Sequence, residues 1–195
     1  MTVYRNIPLD RAMRSGDYFI QRLRMQVAAR WIPPDSRLLD IGCHQGEFFQ
    51  FLGNRINPSI GIDPLLEKDN LKIPGNHKLY QLMFRELLPF ADLSFDVVSM
   101  LAVIEHIKEK DLIAKECRRL IRTGGRVVIT VPSKMVDQIL SLLIFFQIVD
   151  GMSLEEHHGF NPGELPSIFL SEGFKIIARR KFQLGLNNLF VFEKQ

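Results

Sequence analysis

An acidic residue and two glycines, Asp40, Gly42 and Gly46, form the part of this 195-residue chain whose types and spacing could do chemistry. They follow the apolar residues Leu38 and Leu39 directly. Buried strands end at the carboxyl edge of a sheet, where glycines let backbone N–H groups and the N-terminus of the next helix approach a ligand closely. The stretch therefore predicts a nucleotide-type site at the end of a strand.

Strand and helix patterns alternate around this stretch. Apolar residues at helical spacing predict a first helix over Asp17–Trp31, which ends before two prolines. The predicted strands are Arg37–Ile41, Ser59–Ile62, Lys78–Leu82, Phe95–Met100, Arg126–Val131, Phe174–Phe182 and Asn188–Glu193. The other predicted helices are Gly46–Leu52, Lys108–Ile121 and Pro162–Glu172, with a short turn near Leu65–Lys68. The pattern predicts an α/β fold with a mostly parallel, seven-stranded sheet, a C-terminal antiparallel hairpin and helices on both faces.

Composition and length limit the classes of protein. A chain with 46% hydrophobic and 24% charged residues is typical of one globular domain, so 1–195 is expected to be a single domain with a helical segment at 1–34. The net charge of +3 is too small to require a nucleic-acid partner. Five arginines before the first strand fit either a solvated helix face or a patch for an anionic ligand or a membrane surface; they are Arg11, Arg14, Arg22, Arg24 and Arg30.

The two cysteines, Cys43 and Cys117, have no paired spacing, and no secretory leader is predicted at the N-terminus. They are expected to be free thiols in a cytoplasmic protein. The most apolar segment, Ile139–Ile148, has about half the length needed to cross a bilayer, so no transmembrane segment is predicted.

Four stretches together resemble the class I S-adenosylmethionine-dependent methyltransferases, in the type 11-like branch that acts on small molecules. Leu38–Gly46 is similar to the family's acid-x-G-x-G-x-G motif, and Gly61–Pro64 places Asp63 about 20 residues after it. The third match is Leu88–Phe90 with Phe95–His106, and the fourth is the double-glycine segment Leu120–Ile129. The resemblance covers Trp31 to the end and implies a Rossmann-like, doubly wound sheet.

The resemblance implies S-adenosylmethionine as cofactor and S-adenosylhomocysteine as product. Asp40 would reach the cofactor's amino group and Asp63 its ribose hydroxyls. Phe84 stands where the family has an acid, so it can cover the adenine ring but cannot accept its amino hydrogen. The residues implied to contact the cofactor are Asp40, Gly42, Cys43, His44, Gly46, Ile62, Asp63, Phe84, Met100, Leu101 and Ala102.

His44 is the second departure, because it replaces the family's middle glycine. Histidine tolerates positive φ better than most other residues. Three interpretations are open. The backbone could follow the family path with the ring pointing outward, the ring could contact the cofactor carboxylate or the substrate, or cofactor binding could be degraded.

Methyl transfer is a direct displacement, so proximity, alignment and desolvation can supply most of the catalysis. An oxygen or nitrogen acceptor can still need a base, and the candidates are His106, His157 and His158, with Glu105 less favoured. His106 could equally have only a structural role at a helix start. No spacing typical of a metal site is present, so no metal is predicted.

The acceptor site is expected at residues 133–160, as a lid or insertion. The apolar segment within it, Ile139–Ile148, could be a buried core helix, a lid over an apolar or lipid-linked acceptor, or a dimer or membrane-surface contact. The expected partner is a small-molecule acceptor and not nucleic acid, for a monomer or homodimer with peripheral membrane contact left open.

Two other classes of protein are alternatives to a methyltransferase. A nicotinamide dehydrogenase is disfavoured because His44 and Glu47 occupy the second and third positions of its G-x-G-x-x-G motif. A catalytically silent, methyltransferase-like binding or scaffold protein remains the alternative, since His44 and Phe84 both depart from the family.

Overall fold

A computed structural model describes residues 15–67, 71–84, 87–133 and 161–195. His157, His158 and Ile139–Ile148 lie outside the described residues, as do Arg11 and Arg14. The strands are β1 (Leu38–Ile41), β2 (Ile60–Asp63), β3 (Leu71–Ile73), β4 (His77–Gln81), β5 (Phe95–Leu101), β6 (Ile121–Pro132), β7 (Phe174–Phe182) and β8 (Asn187–Lys194). The helices are α1 (Ser15–Ala29), α2 (Glu47–Leu52), α3 (Lys110–Leu120) and α4 (Leu165–Ser171).

All eight strands form one sheet in the order β3-β4-β2-β1-β5-β6-β8-β7. The five strands from β4 to β6 in this order are parallel to one another, whereas β3 and β8 run antiparallel to their neighbours. The chain builds outward from β1 to β2 and β4, and then returns to place β5 on the other side of β1. This reversal creates a crevice beyond the carboxyl ends of β1 and β5, where ligands bind in open α/β sheets.

The sequence predicts seven strands, whereas the sheet has eight. The additional strand, β3, has three residues and pairs antiparallel with β4 through a turn in which Gly75 and Asn76 adopt positive φ. A three-residue strand is too short to show an alternating pattern, although Pro74-Gly75-Asn76 is a turn signal. The mostly parallel α/β class and the C-terminal antiparallel hairpin, formed by β7 and β8, are confirmed.

Helices cover both faces of the sheet, as predicted. One buried cluster joins α1 and α2 to side chains such as Leu38, Val97 and Val191. The other joins α3 and α4 to the opposite face, which includes Leu39 and Val98. Because successive residues of a strand point to opposite faces, strands buried on both sides carry nearly continuous apolar sequence.

Some helix boundaries differ from the sequence expectation. The predicted helix at Pro162–Glu172 is a 3-10 turn at Pro162–Glu164 followed by α4. The segment that contains His106 is likewise a single 3-10 turn, Ile104–His106. Within the described residues, no helix is long and apolar enough to cross a membrane.

Candidate cofactor site

The crevice beyond β1, β2 and β5 brings together several of the residues that the sequence predicts to bind a cofactor. Asp40 lies on β1 and Asp63 ends β2, while Leu101 ends β5. Asp40 stands opposite Ser99 of β5 and Gly61 of β2 in the sheet register. The parallel arrangement of these strands therefore places both acids at one edge of the sheet.

The glycine loop after β1 is held by backbone hydrogen bonds. The N–H groups of Gly42 and Cys43 donate to the carbonyl oxygen of Ile62 at 2.8 and 3.2 Å, and the N–H of Gly46 donates to the carbonyl oxygen of Cys43 at 2.8 Å. Gly42 and Gly46 have φ of 76° and 83°. A Cβ on Gly46 would lie 2.7 Å from Ile73 Cδ1, so a larger residue would displace that side chain, and the positive φ itself favours glycine.

Cys43 packs beneath the loop. Its side chain is buried, and a Cβ on Gly61 would lie 2.7 Å from its Sγ. Burial raises the pKa of the Cys43 thiol and of the Cys117 thiol. Both cysteines are free, as predicted, and both are held in the unreactive thiol form.

Asp63 ties the glycine loop to β2. Its Oδ2 accepts a hydrogen bond from the backbone N–H of His44 at 2.9 Å, and its Oδ1 accepts one from the N–H of Leu65 at 2.8 Å. Asp63 is buried, with 8% of the residue exposed. Each carboxylate oxygen can accept more than one hydrogen bond, so Asp63 keeps acceptor capacity for a hydroxyl ligand.

His44 adopts a left-handed backbone conformation with φ of 47°. Its Nδ1 donates to Glu47 Oε1 at 2.7 Å, and its side chain is 54% exposed. The hydrogen bond to Glu47 raises the pKa of His44, against a smaller effect of burial. Burial acts to raise the pKa of Glu47, but hydrogen bonds from His44 and from backbone N–H groups outweigh it and hold that pKa below its ordinary value.

Asp40 is a buried acid. It is 3% exposed, and its Oδ1 accepts a hydrogen bond from Ser99 Oγ at 2.5 Å. Burial raises the pKa of Asp40 to about 7, with Glu47 and Asp63 adding to the effect and the Ser99 hydrogen bond opposing it. A cationic ligand group beside Asp40 would reverse this shift, because an adjacent positive charge favours the carboxylate.

A cleft opens above the loop, with one wall formed by α1. Arg24 lies in that wall, and its Nε is buried with no hydrogen-bond partner among the described residues. Sequence reasoning placed Arg24 only in a general arginine cluster, because no motif connects α1 to the glycine loop. The cleft is lined by Gln21, Arg24, Met25, Asp40, Gly42, Cys43, His44, Glu47, Phe48 and Leu101.

Glu105 lies close enough to Arg24 for their charges to interact. The side chain is 7% exposed, and its Oε2 has no partner among the described residues. Burial raises the pKa of Glu105 to about 7, while the nearby charges of Arg24 and Lys110 oppose the shift. Burial also lowers the pKa of Arg24, and Glu105 opposes that shift.

Other predicted site residues lie in different surroundings. The side chains of Ile62 and Met100 are buried in the core shared with α3 and α4, which leaves only their backbone groups at the crevice. Ala102 has φ of 59°, and its N–H donates to the carbonyl oxygen of Thr130 at 2.8 Å. Phe84 is half-buried against the same core.

His106 is exposed, and its backbone N–H donates to the carbonyl oxygen of Val103 at 2.9 Å. It does not line the cleft described above. Among the residues that the structure describes, no three His, Cys, Asp or Glu side chains are grouped so that they could hold a metal ion.

The fold and the glycine loop at the switch point of the sheet define a Rossmann-like nucleotide-binding architecture. The profile of a family described as "Methyltransferase domain" matches residues 10–179. The chain belongs to this family, which confirms the resemblance found in the sequence.

The chain is similar to curated proteins and, in its fold, to solved structures. The mitochondrial ubiquinone biosynthesis O-methyltransferase of Rattus norvegicus is 24% identical over 155 residues, covering 72% of this chain and 44% of that protein. The chain thus spans less than half the length of that relative. The PH0226 protein of Pyrococcus horikoshii has a TM-score of 0.67 at 17% identity, covering 93% of each chain.

A second solved structure is the Burkholderia thailandensis 1,6-didemethyltoxoflavin-N1-methyltransferase, which contains its substrate and S-adenosylhomocysteine. It has a TM-score of 0.65 at 14% identity and covers 92% of this chain and 82% of that one. At these identities, the two structures show a shared fold.

Proposed function

We propose that this protein transfers a methyl group from S-adenosylmethionine to a small-molecule acceptor. The observation that carries the proposal is the glycine loop at the carboxyl end of β1. Asp63 at the end of β2 accepts a hydrogen bond from this loop, and α1 forms one wall of the cleft above it. The family, and the S-adenosylhomocysteine bound to a structural neighbour, support the same cofactor.

The charged groups of the crevice fit the parts of this cofactor. The Asp63 carboxylate would accept the ribose hydroxyls, as acids at this position of the fold do. Asp40 and the backbone around Leu101 would bind the ammonium group. The Nε of Arg24, which is buried and has no hydrogen-bond partner among the described residues, suits the cofactor's carboxylate, because a hydrogen bond between charged groups is stronger than a neutral one.

The chain's contribution to the reaction is mainly positioning and exclusion of water. The bound cofactor would supply an electrophilic methyl group on a sulfonium. The acceptor atom must approach that carbon opposite the sulfur, so the walls of the crevice need only hold both molecules in line. For a hydroxyl acceptor, His106, His157 and His158 remain the proposed bases, and the buried Glu105 is a fourth candidate whose pKa of about 7 suits proton transfer near neutrality.

An oxygen acceptor is the first class to test, because several relatives are named ubiquinone biosynthesis O-methyltransferases. Residues 133–160 are proposed to complete the acceptor site. A monomer or homodimer, peripheral membrane contact and a cytoplasmic location remain predictions.

Calorimetry with S-adenosylmethionine and S-adenosylhomocysteine tests the proposal. We expect saturable binding of both ligands, followed by transfer of labelled methyl to some member of a panel of phenolic and lipid-linked acceptors. No detectable heat with either ligand at millimolar concentration would reject the proposal. Binding without transfer to any acceptor would instead favour the silent binding protein.

A further inference from the structure

His44 carries a hydrogen-bonding arrangement that a glycine at the same position could not provide. Its Nδ1 donates to Glu47, and its Nε2 makes no hydrogen bond to the described residues. The ring is half-exposed and lines the same cleft as Arg24 and Asp40. A second nitrogen is therefore available to a ligand in that cleft.

Glu47 determines which nitrogen of the His44 ring carries a hydrogen, and so which protonation state of the ring can bind an anionic ligand group. A carboxylate only accepts hydrogen bonds, so Nδ1 must carry a hydrogen in this pair. In the neutral ring, Nε2 then presents a lone pair, which repels an anionic ligand group. In the protonated ring, Nε2 presents a hydrogen, which attracts one. The hydrogen bond to Glu47 also favours protonation of the ring.

We propose that the imidazolium of His44, oriented by Glu47, donates a hydrogen bond from Nε2 to the carboxylate at the amino-acid end of the cofactor. This inference rests on the proposed function. It assigns His44 to cofactor binding and Glu47 to positioning of the His44 ring. Of the three interpretations of the missing glycine, it selects contact with the cofactor carboxylate.

The charged groups near His44 come from four elements around the cleft. Glu47 of α2, Asp63 of β2 and Asp40 of β1 are acids, whereas Arg24 of α1 is a base. Asp40 and His44 respond to pH in opposite ways. Rising pH ionises Asp40, which strengthens binding of the ammonium group, and it discharges His44, which weakens binding of the carboxylate. The contribution of His44 must therefore be measured as a difference between variants.

The His44→Gly variant restores the family's middle glycine. The direction in which it changes the affinity for S-adenosylmethionine distinguishes the interpretations of His44. If the ring only crowded the cofactor, this variant would bind more tightly. We expect instead that His44→Gly weakens binding of S-adenosylmethionine about tenfold at about pH 6, and less at about pH 8.5. His44→Asn, which also tolerates positive φ, should show the same loss and so separates the ring from the backbone.

Decarboxylated S-adenosylmethionine is the matched ligand, since it keeps the sulfonium, ammonium and ribose but lacks the carboxylate. Its affinity should change less than about twofold in both His44 variants. Glu47→Gln keeps an acceptor for Nδ1 but removes the charge, so the loss of S-adenosylmethionine affinity with rising pH should occur at lower pH.

Equal or tighter binding of S-adenosylmethionine by His44→Gly at both pH values would overturn the inference and leave the proposed function intact. Equal losses for both ligands would also overturn it, because the carboxylate would then not be the partner. If the wild-type protein binds neither cofactor nor product, the proposed function falls and this inference falls with it.

Discussion

The two halves of the sheet are filled with different kinds of side chain. At α4, the buried rings of Phe169, Phe174, Phe190 and Phe192 pack against each other, and the Arg179 guanidinium lies 5.3 Å from the centroid of the Phe190 ring. Around the carboxyl ends of β1, β2 and β5, Asp40, Asp63 and Glu105 are buried ionisable groups. Glu105 and the neighbouring Arg24 of α1 each have a buried atom without a hydrogen-bond partner among the described residues. The comparison indicates that the aromatic half supplies stability, while the glycine-loop half gives up stability to hold a charged ligand.

The largest expected effect lies in the aromatic half. Phe169 is fully buried, and its ring stacks on Phe192 with centroids 4.4 Å apart. Phe169→Ala should lower the free energy of unfolding by about 3–5 kcal/mol, measured by urea unfolding, because it removes a large side chain and leaves a cavity. Phe19→Ala is the control, since Phe19 is 61% exposed on α1. If Phe169→Ala lowered the free energy of unfolding no more than Phe19→Ala does, the aromatic half would not be the main source of stability.

Buried Asp40 predicts a pH dependence in the glycine-loop half. Its pKa rises from an ordinary 3.8 to about 7 on folding, so the folded state binds the proton more tightly than the unfolded state. Stability is therefore fully present below about pH 4 and is lost as pH rises through about 7, by up to about 4 kcal/mol. Asp40→Asn should flatten the curve of unfolding free energy against pH in the ligand-free protein.

The buried Glu105 contributes to the same curve with the same sign, because burial raises its pKa to about 7 as well. Glu105→Gln is therefore the companion variant, and combining it with Asp40→Asn should flatten the curve further. An unchanged pH slope in Asp40→Asn would mean that Asp40 stays ionised in the fold.

A smaller effect is expected from Asp63 on ligand binding. Asp63→Ala removes the proposed ribose acceptor and should weaken binding of S-adenosylhomocysteine by about 1–3 kcal/mol in calorimetry. Asp92→Ala is the matched control, because Asp92 is an exposed acid paired with Arg119 on another part of the surface. Equal affinities for the two variants would remove Asp63 from the site.

Most of the sheet could be predicted from the sequence. Each parallel strand is a short apolar run, and the glycines and prolines that bound these runs can be recognised from neighbouring residues alone. Local patterns gave less information about the site. The family resemblance implies that Ile62 and Met100 contact the cofactor, whereas the pleat of their strands turns both side chains into the core. Local patterns also left the role of Arg24 open, because which face of α1 meets the glycine loop depends on packing between distant segments.

Backbone strain also differs between the two halves. Ala102 and His44 adopt positive φ beside the cleft, where a ligand could make the strain useful. Leu184 adopts a positive φ of 56° at the tip of the β7–β8 hairpin, where its side chain is fully exposed. Among the described residues, the Leu184 side chain therefore makes no contact that would offset the backbone strain at the hairpin tip.

Leu184→Asn should consequently stabilise the protein, with the smallest effect of the series. Asparagine tolerates the left-handed region better than leucine, so the free energy of unfolding should rise by about 0.5–1 kcal/mol in urea unfolding. Leu170→Asn is the control, since Leu170 is also exposed but lies within α4, where asparagine lowers helix propensity. Affinity for S-adenosylhomocysteine should be unchanged in both variants, because neither leucine lies in the crevice. A loss of stability in Leu184→Asn would show that the leucine at the hairpin tip makes a stabilising contact. The proposed difference between backbone strain beside the cleft and backbone strain at the hairpin tip would then be wrong.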